Sequence, residues 1–280
     1  MSAVTKSIFA FILFGLTPLI FKRGNLNPQE TVFWRMLIAA LLTTFVVLFK
    51  RATLPRGKSL LLCVVAALTM SSNMVLLFSS YQYSPTGICV QLYYLSPLFT
   101  VLLRVVWFRE KLGRLSIIAS VTAIVALALL LAEAPWRESR SWLGYLMAVG
   151  AGLISSFTPL LEREQKADSR ASFLVQAWIC SLLLLPFLSV NSAALTPQSL
   201  GLILILGVFL TFLPFMLWWQ ALREDYLLSP FVLYASPVTA ALVSLFVLHE
   251  PYSPAQLVSL LLLTGSCFLP LVERARRPIA

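Results

Sequence analysis

The chain has 280 residues, 59% of them hydrophobic and only 11% charged, and its mean hydropathy is +0.89. So little polar surface cannot cover a soluble particle of this size, which leaves a polytopic membrane protein. A net charge of +10 would suit a nucleic acid, but the Lys and Arg residues form short clusters between apolar runs and leave no continuous basic face, so no nucleic-acid partner is expected.

Read from the N-terminus, the hydropathy pattern predicts ten crossings of about twenty residues each, separated by short loops. The first five cover residues 4–21, 31–49, 59–79, 86–108 and 115–132; the second five cover 142–161, 171–190, 198–219, 226–248 and 255–272. Lys6 ahead of an apolar run resembles a signal peptide, but no small-x-small cleavage site follows, so the run reads as an uncleaved first span. Cys63, Cys89, Cys180 and Cys267 all fall inside spans without C-x-x-C spacing and read as buried small residues. No metal-ligand or cofactor motif is present, so neither a metal nor a cofactor is expected.

The fourth and ninth spans carry the same text. Tyr94, Ser96, Pro97, Leu102 and Glu110 return as Tyr234, Ser236, Pro237, Leu242 and Glu250, each 140 residues later. A weaker echo relates Thr17-Pro18 to Thr158-Pro159, 141 residues on. The chain is therefore read as a duplication, with one five-helix repeat at 1–140 and a second at 141–280. A proline in a membrane helix frees the carbonyl four residues back, here those of Tyr93 and Leu233, and lowers the resistance to bending. Interrupted helices at matching places in two halves point to a transporter's binding site, which makes Pro18, Pro97, Pro214 and Pro237 candidates for helix breaks and gating.

Basic residues set the orientation. With the N-terminus cytoplasmic, fifteen Lys and Arg residues fall on the inner side and four on the outer; Arg35 and Arg104 lie within spans, which completes the 21. This bias predicts both termini on the cytoplasmic side of the inner (plasma) membrane. An odd number of spans per repeat then turns the second half upside down. The expected fold class is an all-α membrane protein of about ten transmembrane helices built as two inverted repeats.

These features resemble the EamA branch of the drug/metabolite transporter superfamily over nearly the whole chain. Gly15-x-x-Pro18-x-x-x-Lys22, Pro28-x-Glu30 leading to Arg35, Asn73, Ser96-Pro97 and Arg109-Glu110 resemble its RarD-like members. The resemblance implies a ten-helix carrier whose pore lies among the first four helices of each half, with the fifth of each half outside. It leaves the substrate open, because the superfamily moves amino acids, nucleotide-like metabolites, sugars and drugs. The first span lacks the carboxylate of the small multidrug pumps, which argues against cation-for-proton exchange of their kind.

Ionisable groups inside spans are costly, which makes Arg35 and Arg104 candidates for substrate binding; each lies about five residues from a loop and can also snorkel to a headgroup. Facing a cavity, they would favour a carboxylate or phosphate. Trp34, Asn73, Gln91, Tyr94, Gln176 and Tyr234 complete the expected substrate-binding set, with helix gluing or interfacial anchoring as the alternative role. Glu110 and Glu250 read more naturally as carboxylates paired locally at loops than as proton carriers. Intramembrane enzymes need clustered carboxylates, paired Asp, a Ser with a base, or H-E-x-x-H, and none is present, so no enzymatic activity is expected. The reading is a metabolite exporter for amino acids or other zwitterionic or anionic molecules, as monomer or homodimer among membrane lipids. A broad drug efflux protein and a non-transporting assembly factor remain alternatives.

Overall fold

A computed structural model describes residues 3–24, 27–109, 113–132, 140–165, 167–188, 196–224, 235–250 and 252–275, and among these no strand occurs. The protein is all-α. In the first half, α1 (Ala3–Gly15) and α2 (Thr17–Gly24) make one interrupted span, followed by α3 (Pro28–Lys50) and α4 (Lys58–Tyr83). A second interrupted span, α5 (Thr86–Tyr93) and α6 (Ser96–Phe108), precedes α7 (Arg114–Ala132). The second half repeats the order: α8 (Ser141–Ser155) and α9 (Thr158–Arg163) form a broken span, then α10 (Ser169–Leu184) follows with a 3₁₀ turn at Leu185–Phe187. Next come α11 (Pro197–Gly207), joined through a π-helical segment at Val208–Phe212 to α12 (Leu213–Glu224), and finally α13 (Ala235–Phe246) and α14 (Pro254–Ala275).

Local chemistry sets the ends. Asn27 caps α3, its Oδ1 accepting from the amides of Gln29 (3.0 Å) and Glu30 (3.5 Å), and Pro28 at the first position needs no partner for an N–H it lacks. Asp168 caps α10 through the Arg170 amide at 2.8 Å, and Thr196 with Pro197 opens α11 in the same manner. Among the described residues, six helical runs are long and apolar enough to cross a bilayer: Thr5–Gly24, Pro28–Lys50, Lys58–Tyr83, Thr86–Leu103, Ser169–Phe187 and Pro197–Trp218. Ile117–Ala132, Ser141–Ser155 and Pro254–Ser266 are shorter apolar helices. Outward faces carry bare hydrophobic side chains such as Phe49, Val106 and Leu261, 84%, 78% and 72% exposed, as suits a chain set in a bilayer.

The packing partners come in exchanged pairs, as a two-fold relation between the halves requires. Helix α1 packs on α12 and α13, and its counterpart α8 packs on α4 and α5; α3 crosses its own counterpart α10. Helices α7 and α14 lie against each other at the edge, which agrees with fifth helices placed outside the pore. Glycines permit the tightest crossings. A Cβ on Gly15 would sit 2.6 Å from the Ser236 carbonyl oxygen, and one on Gly152 would sit 2.7 Å from that of Tyr93. Small residues at such points let membrane helices approach through their backbones.

Loop contacts sort the connections into two ends. Lys22, Thr86 and Glu250 meet at one, together with Ser84, whose hydroxyl donates to the Ser141 carbonyl at 2.6 Å. At the other, Lys58 pairs with Glu164 and Gln165 donates to the Ser59 carbonyl. The connection after the first span, near Lys22, and its counterpart after the sixth, at Glu164 and Gln165, fall at opposite ends, as an odd number of crossings per repeat demands. The residue before each repeated glutamate also matches: Arg109 and His249 both adopt the left-handed conformation, with φ of 52° and 53°.

Candidate functional site

Arg35 is 3% exposed, about two turns into α3, and its hydrogen-bond partners come from the other half of the chain. Pro214 has no N–H for the Leu210 carbonyl four residues back, and the preceding turn opens into the π-helical segment. Arg35 fills that gap. Its Nη2 donates to the Leu210 carbonyl at 3.2 Å and its Nε to Thr211 Oγ1 at 2.8 Å, while the Thr211 hydroxyl donates to the Leu206 carbonyl at 2.7 Å. The guanidinium carbon lies 5.3 Å from the centre of the Phe78 ring, a cation–π contact. Among the described residues no carboxylate pairs with it. The guanidinium is thus held by dipoles and a ring, with no counter-charge among the described residues.

The interrupted helices converge beside this group. Tyr93, at the end of α5, is within electrostatic reach of Arg35, and its hydroxyl lies 3.0 Å from that of Ser155, where α8 breaks. The Tyr94 hydroxyl meets the Ser236 side chain at the start of α13, and the two tyrosine rings touch edge to face at 5.3 Å. Ser236 in turn faces Gly15, where α1 breaks. The breaks in the first, fourth and sixth spans, the start of α13 and the π segment of the eighth span are thus linked through Tyr93, Tyr94 and Arg35. Phe21, Phe78 and Tyr81 extend the aromatic wall, with ring centres 4.7–6.0 Å apart.

A second polar cluster lies at one end. Glu250 Oε1 accepts from Lys22 Nζ at 2.9 Å and from the Thr86 amide at 3.1 Å; Oε2 accepts from the Gly87 amide at 3.2 Å and from the Ser244 hydroxyl. It therefore caps α5 and neutralises Lys22 together. The expectation of local pairing for this glutamate is corrected: its ionic partner is 228 residues away. A lysine and a glutamate in two distant loops give no local signal of their pairing. Burial alone would push the Glu250 carboxyl up, but hydrogen bonds from Ser244, Lys22 and the Thr86 amide, with the Lys22 charge, hold it below its ordinary value. The cluster thus stabilises the fold fully above the ordinary carboxylate pKa of about 4.3, and that contribution disappears as pH falls through the lower folded value. Lys22, Cys89 and Tyr252 are the other titratable groups around it. Melting midpoints between pH 7 and pH 3 are expected to fall more steeply in the wild type than in Glu250→Gln, where this part of the slope is absent.

The profile of the EamA-like transporter family matches residues 1–132 and again residues 142–272. The chain belongs to that family. It is similar to two transporters of Bacillus subtilis (strain 168) described as uncharacterized: YxxF is 25% identical over 231 residues, 79% of this chain and 74% of that one. YojE is 24% identical over 268 residues, 90% of this chain and 88% of that one. A protein of known crystal structure superposes with a TM-score of 0.69 at 17% identity, covering 98% of this chain and 99% of the other, which shows the shared fold. As an EamA-like transporter the protein is a multi-pass membrane carrier for a small molecule and not an enzyme.

Within this EamA-like frame, the sequence candidates separate. Arg35 and Tyr94 stand at the convergence of the breaks. Trp34, beside Arg35, packs its ring against Phe33 at 5.0 Å, and its indole N–H is buried without a hydrogen-bond partner among the described residues. Asn73 is buried in α4, five residues before Phe78. Gln91 and Gln176 lie elsewhere. Gln91 is fully buried where α5 meets α14, its Oε1 3.5 Å from the Ser259 hydroxyl, which itself donates to the Ala126 carbonyl. Gln176 meets Cys63, about 20 Å along α4 from Phe78. Pro18 and Pro214 are buried just after the breaks that they cause. The side chains of Arg104, Pro97 and Pro237, and Tyr234 and Glu110 entirely, lie outside the described residues. The sequence reading had not singled out Thr211 or Phe78; the one available signal was Pro214, whose missing N–H points to the carbonyl at Leu210.

Proposed function

We propose that the protein is a secondary transporter that exports a small organic metabolite bearing a carboxylate, an amino acid or a similar zwitterion or anion, by alternating access. The observation that carries this reading is Arg35: a buried guanidinium without a carboxylate partner among the described residues, at the meeting point of the interrupted helices. An acidic group receives two parallel hydrogen bonds from a guanidinium, and the rings of Phe78, Tyr81 and Tyr93 offer an amphipathic wall for the rest of the molecule. Inverted halves with exchanged packing partners support an exchange between two arrangements, each open to one side. The basic bias of the loops supports both termini in the cytoplasm of a bacterial cell. The resemblance to drug and metabolite transporters adds export as the direction, and the Gly15 to Lys22 and Pro28 to Arg35 motifs support a place beside RarD-like carriers.

The test is a thermal-shift series on the purified protein with matched ligands: free amino acids, the same molecules as methyl esters, and cationic drugs. A carboxylate ligand at a hundredfold excess over its Kd is expected to stabilise the fold by about 2.7 kcal/mol, and its ester to have little effect. Equal shifts from acid and ester, or shifts from cations alone, would remove the role given to Arg35.

A further inference from the structure

We infer that Glu250 is the latch of a gate: it clasps the two short helices α2 and α5 at the end of the bundle that carries Lys22, and this structure is the state closed at that end. The argument starts from the lengths. Helix α2 and helix α5 have eight residues each, and each is cut off from the longer part of its span by a break, at Leu16 and at Tyr94-Leu95. Segments that short, with a break at one end, move as units with few backbone hydrogen bonds to lose. Both belong to the first half of the chain, and one carboxylate from the second half holds both. Lys22 is in the last turn of α2, and the Thr86 and Gly87 amides open α5.

The surroundings are built to present that carboxylate. The end of α13 is closed by the Leu248 and Glu250 amides, which donate to the Val243 and Ser244 carbonyls at 3.0 Å each, with His249 between them in the left-handed conformation. Ser244 adds its hydroxyl to Glu250. Tyr252 then covers the cluster, its hydroxyl 1.4 Å from where a Cβ on Gly87 would sit, so any larger residue there would displace the tyrosine. The pair Lys58–Glu164 at the opposite end is of another kind. Its side chains are 76% and 50% exposed at 3.3 Å, against 31% and 13% for Lys22 and Glu250. Exposed pairs of that sort hold little.

The inference rests on the two-state reading above, but its test needs no substrate and so reports on the latch independently of Arg35. Cys89 is a natural probe: fully buried in α5, one turn from Thr86, and within electrostatic reach of Glu250 and Lys22. Cys180 is equally buried on α10, its thiol 3.3 Å from the Ala67 carbonyl and away from the clasp, and serves as the internal reference. In the full chain in lipid nanodiscs, N-ethylmaleimide labelling of both cysteines is followed by mass spectrometry in the wild type and in Glu250→Gln. Losing charge-assisted bonds to two segments is expected to speed labelling of Cys89 about tenfold or more and to leave Cys180 unchanged. Gly87→Ala, which pushes Tyr252 aside, is expected to act in the same direction. Ser244→Ala keeps the ion pair and provides a milder variant should Glu250→Gln fail to fold. Unchanged labelling of Cys89 would overturn the latch, and equal acceleration at both cysteines would make the cluster a staple of the whole fold instead of a gate.

Discussion

Arg35→Met is expected to weaken binding of the carboxylate ligand about ten- to a hundredfold while leaving the melting midpoint of the ligand-free protein nearly where it was. Two effects of similar size oppose each other in the fold. Removing a buried cation that has no carboxylate partner among the described residues, two turns into a membrane helix, returns up to about 2.5–3.5 kcal/mol, the insertion-scale figure for a helix centre. Removing the donor to Leu210 and Thr211 leaves a buried carbonyl unpartnered, at a cost of about 1–3 kcal/mol, and the Phe78 contact adds a smaller loss. Binding has no such compensation. The ligand loses charge-assisted hydrogen bonds worth about 1.5–3 kcal/mol, a factor of roughly ten to a hundred in Kd. Arg35→Lys retains the charge as a point without the fork, and an intermediate loss is expected. Thr211→Val removes the acceptor for Nε but keeps the guanidinium, and binding is expected to weaken only modestly. Isothermal titration of the four proteins, with size-exclusion profiles as a check on folding, decides the matter. Unchanged affinity in a folded Arg35→Met protein would reduce Arg35 to a tie between α3 and the π segment.

The spans were legible because a bilayer demands runs of about twenty apolar residues, and the chain obeys the demand plainly. The expected crossing at 59–79 is the helix Lys58–Tyr83, and that at 31–49 is Pro28–Lys50. Facing was harder to read. A helix packed on several sides in a membrane is apolar all round, so the 3.6-residue period that marks the inner face of a soluble helix is weak, and a buried amide has equal reason to glue helices or to touch a ligand. Gln91 and Gln176 illustrate this: both are buried, one against α14 and the other against Cys63 of α4, and Arg35 bonds to neither. The proline rule gave half of each answer. It marked Pro214 as a candidate break, without reaching the Leu210 carbonyl that this proline frees or a donor 175 residues earlier in the chain. It pointed also to the Tyr93 carbonyl, expected to be open to substrate or a side chain; that oxygen instead faces the backbone of Gly152, so close that no Cβ fits between them.

That contact yields the second large effect. Gly152→Ala is expected to lower the transport rate at least tenfold. The new Cβ would lie 2.7 Å from the Tyr93 carbonyl oxygen, a backbone atom that no rotamer change can move aside. Either α8 shifts away from α5 or the break at Tyr94 straightens, and overpacking of this kind costs about 1–3 kcal/mol. Because the strain falls where the broken helices cross, it changes the balance between the two arrangements as well as the stability of either; each 1.4 kcal/mol of that balance is about a factor of ten in population. Gly15→Ala poses the same problem at the crossing of α1 and α13, with 2.6 Å to the Ser236 oxygen and 2.6 Å to Thr239 Cβ. Gly150→Ala, on the same helix as Gly152, is the control, since its Cβ would find only Leu76 Cδ1 at 3.9 Å, an ordinary contact. With no clash to offset it, the better helix propensity of alanine is expected to stabilise that variant by up to about 1 kcal/mol. Counterflow in proteoliposomes, using the carboxylate ligand that gives the largest thermal shift, measures all three. If Gly152→Ala and Gly15→Ala exchange ligand as fast as Gly150→Ala, the crossings are not pivots, and the movement between states must be absorbed elsewhere along the interrupted helices.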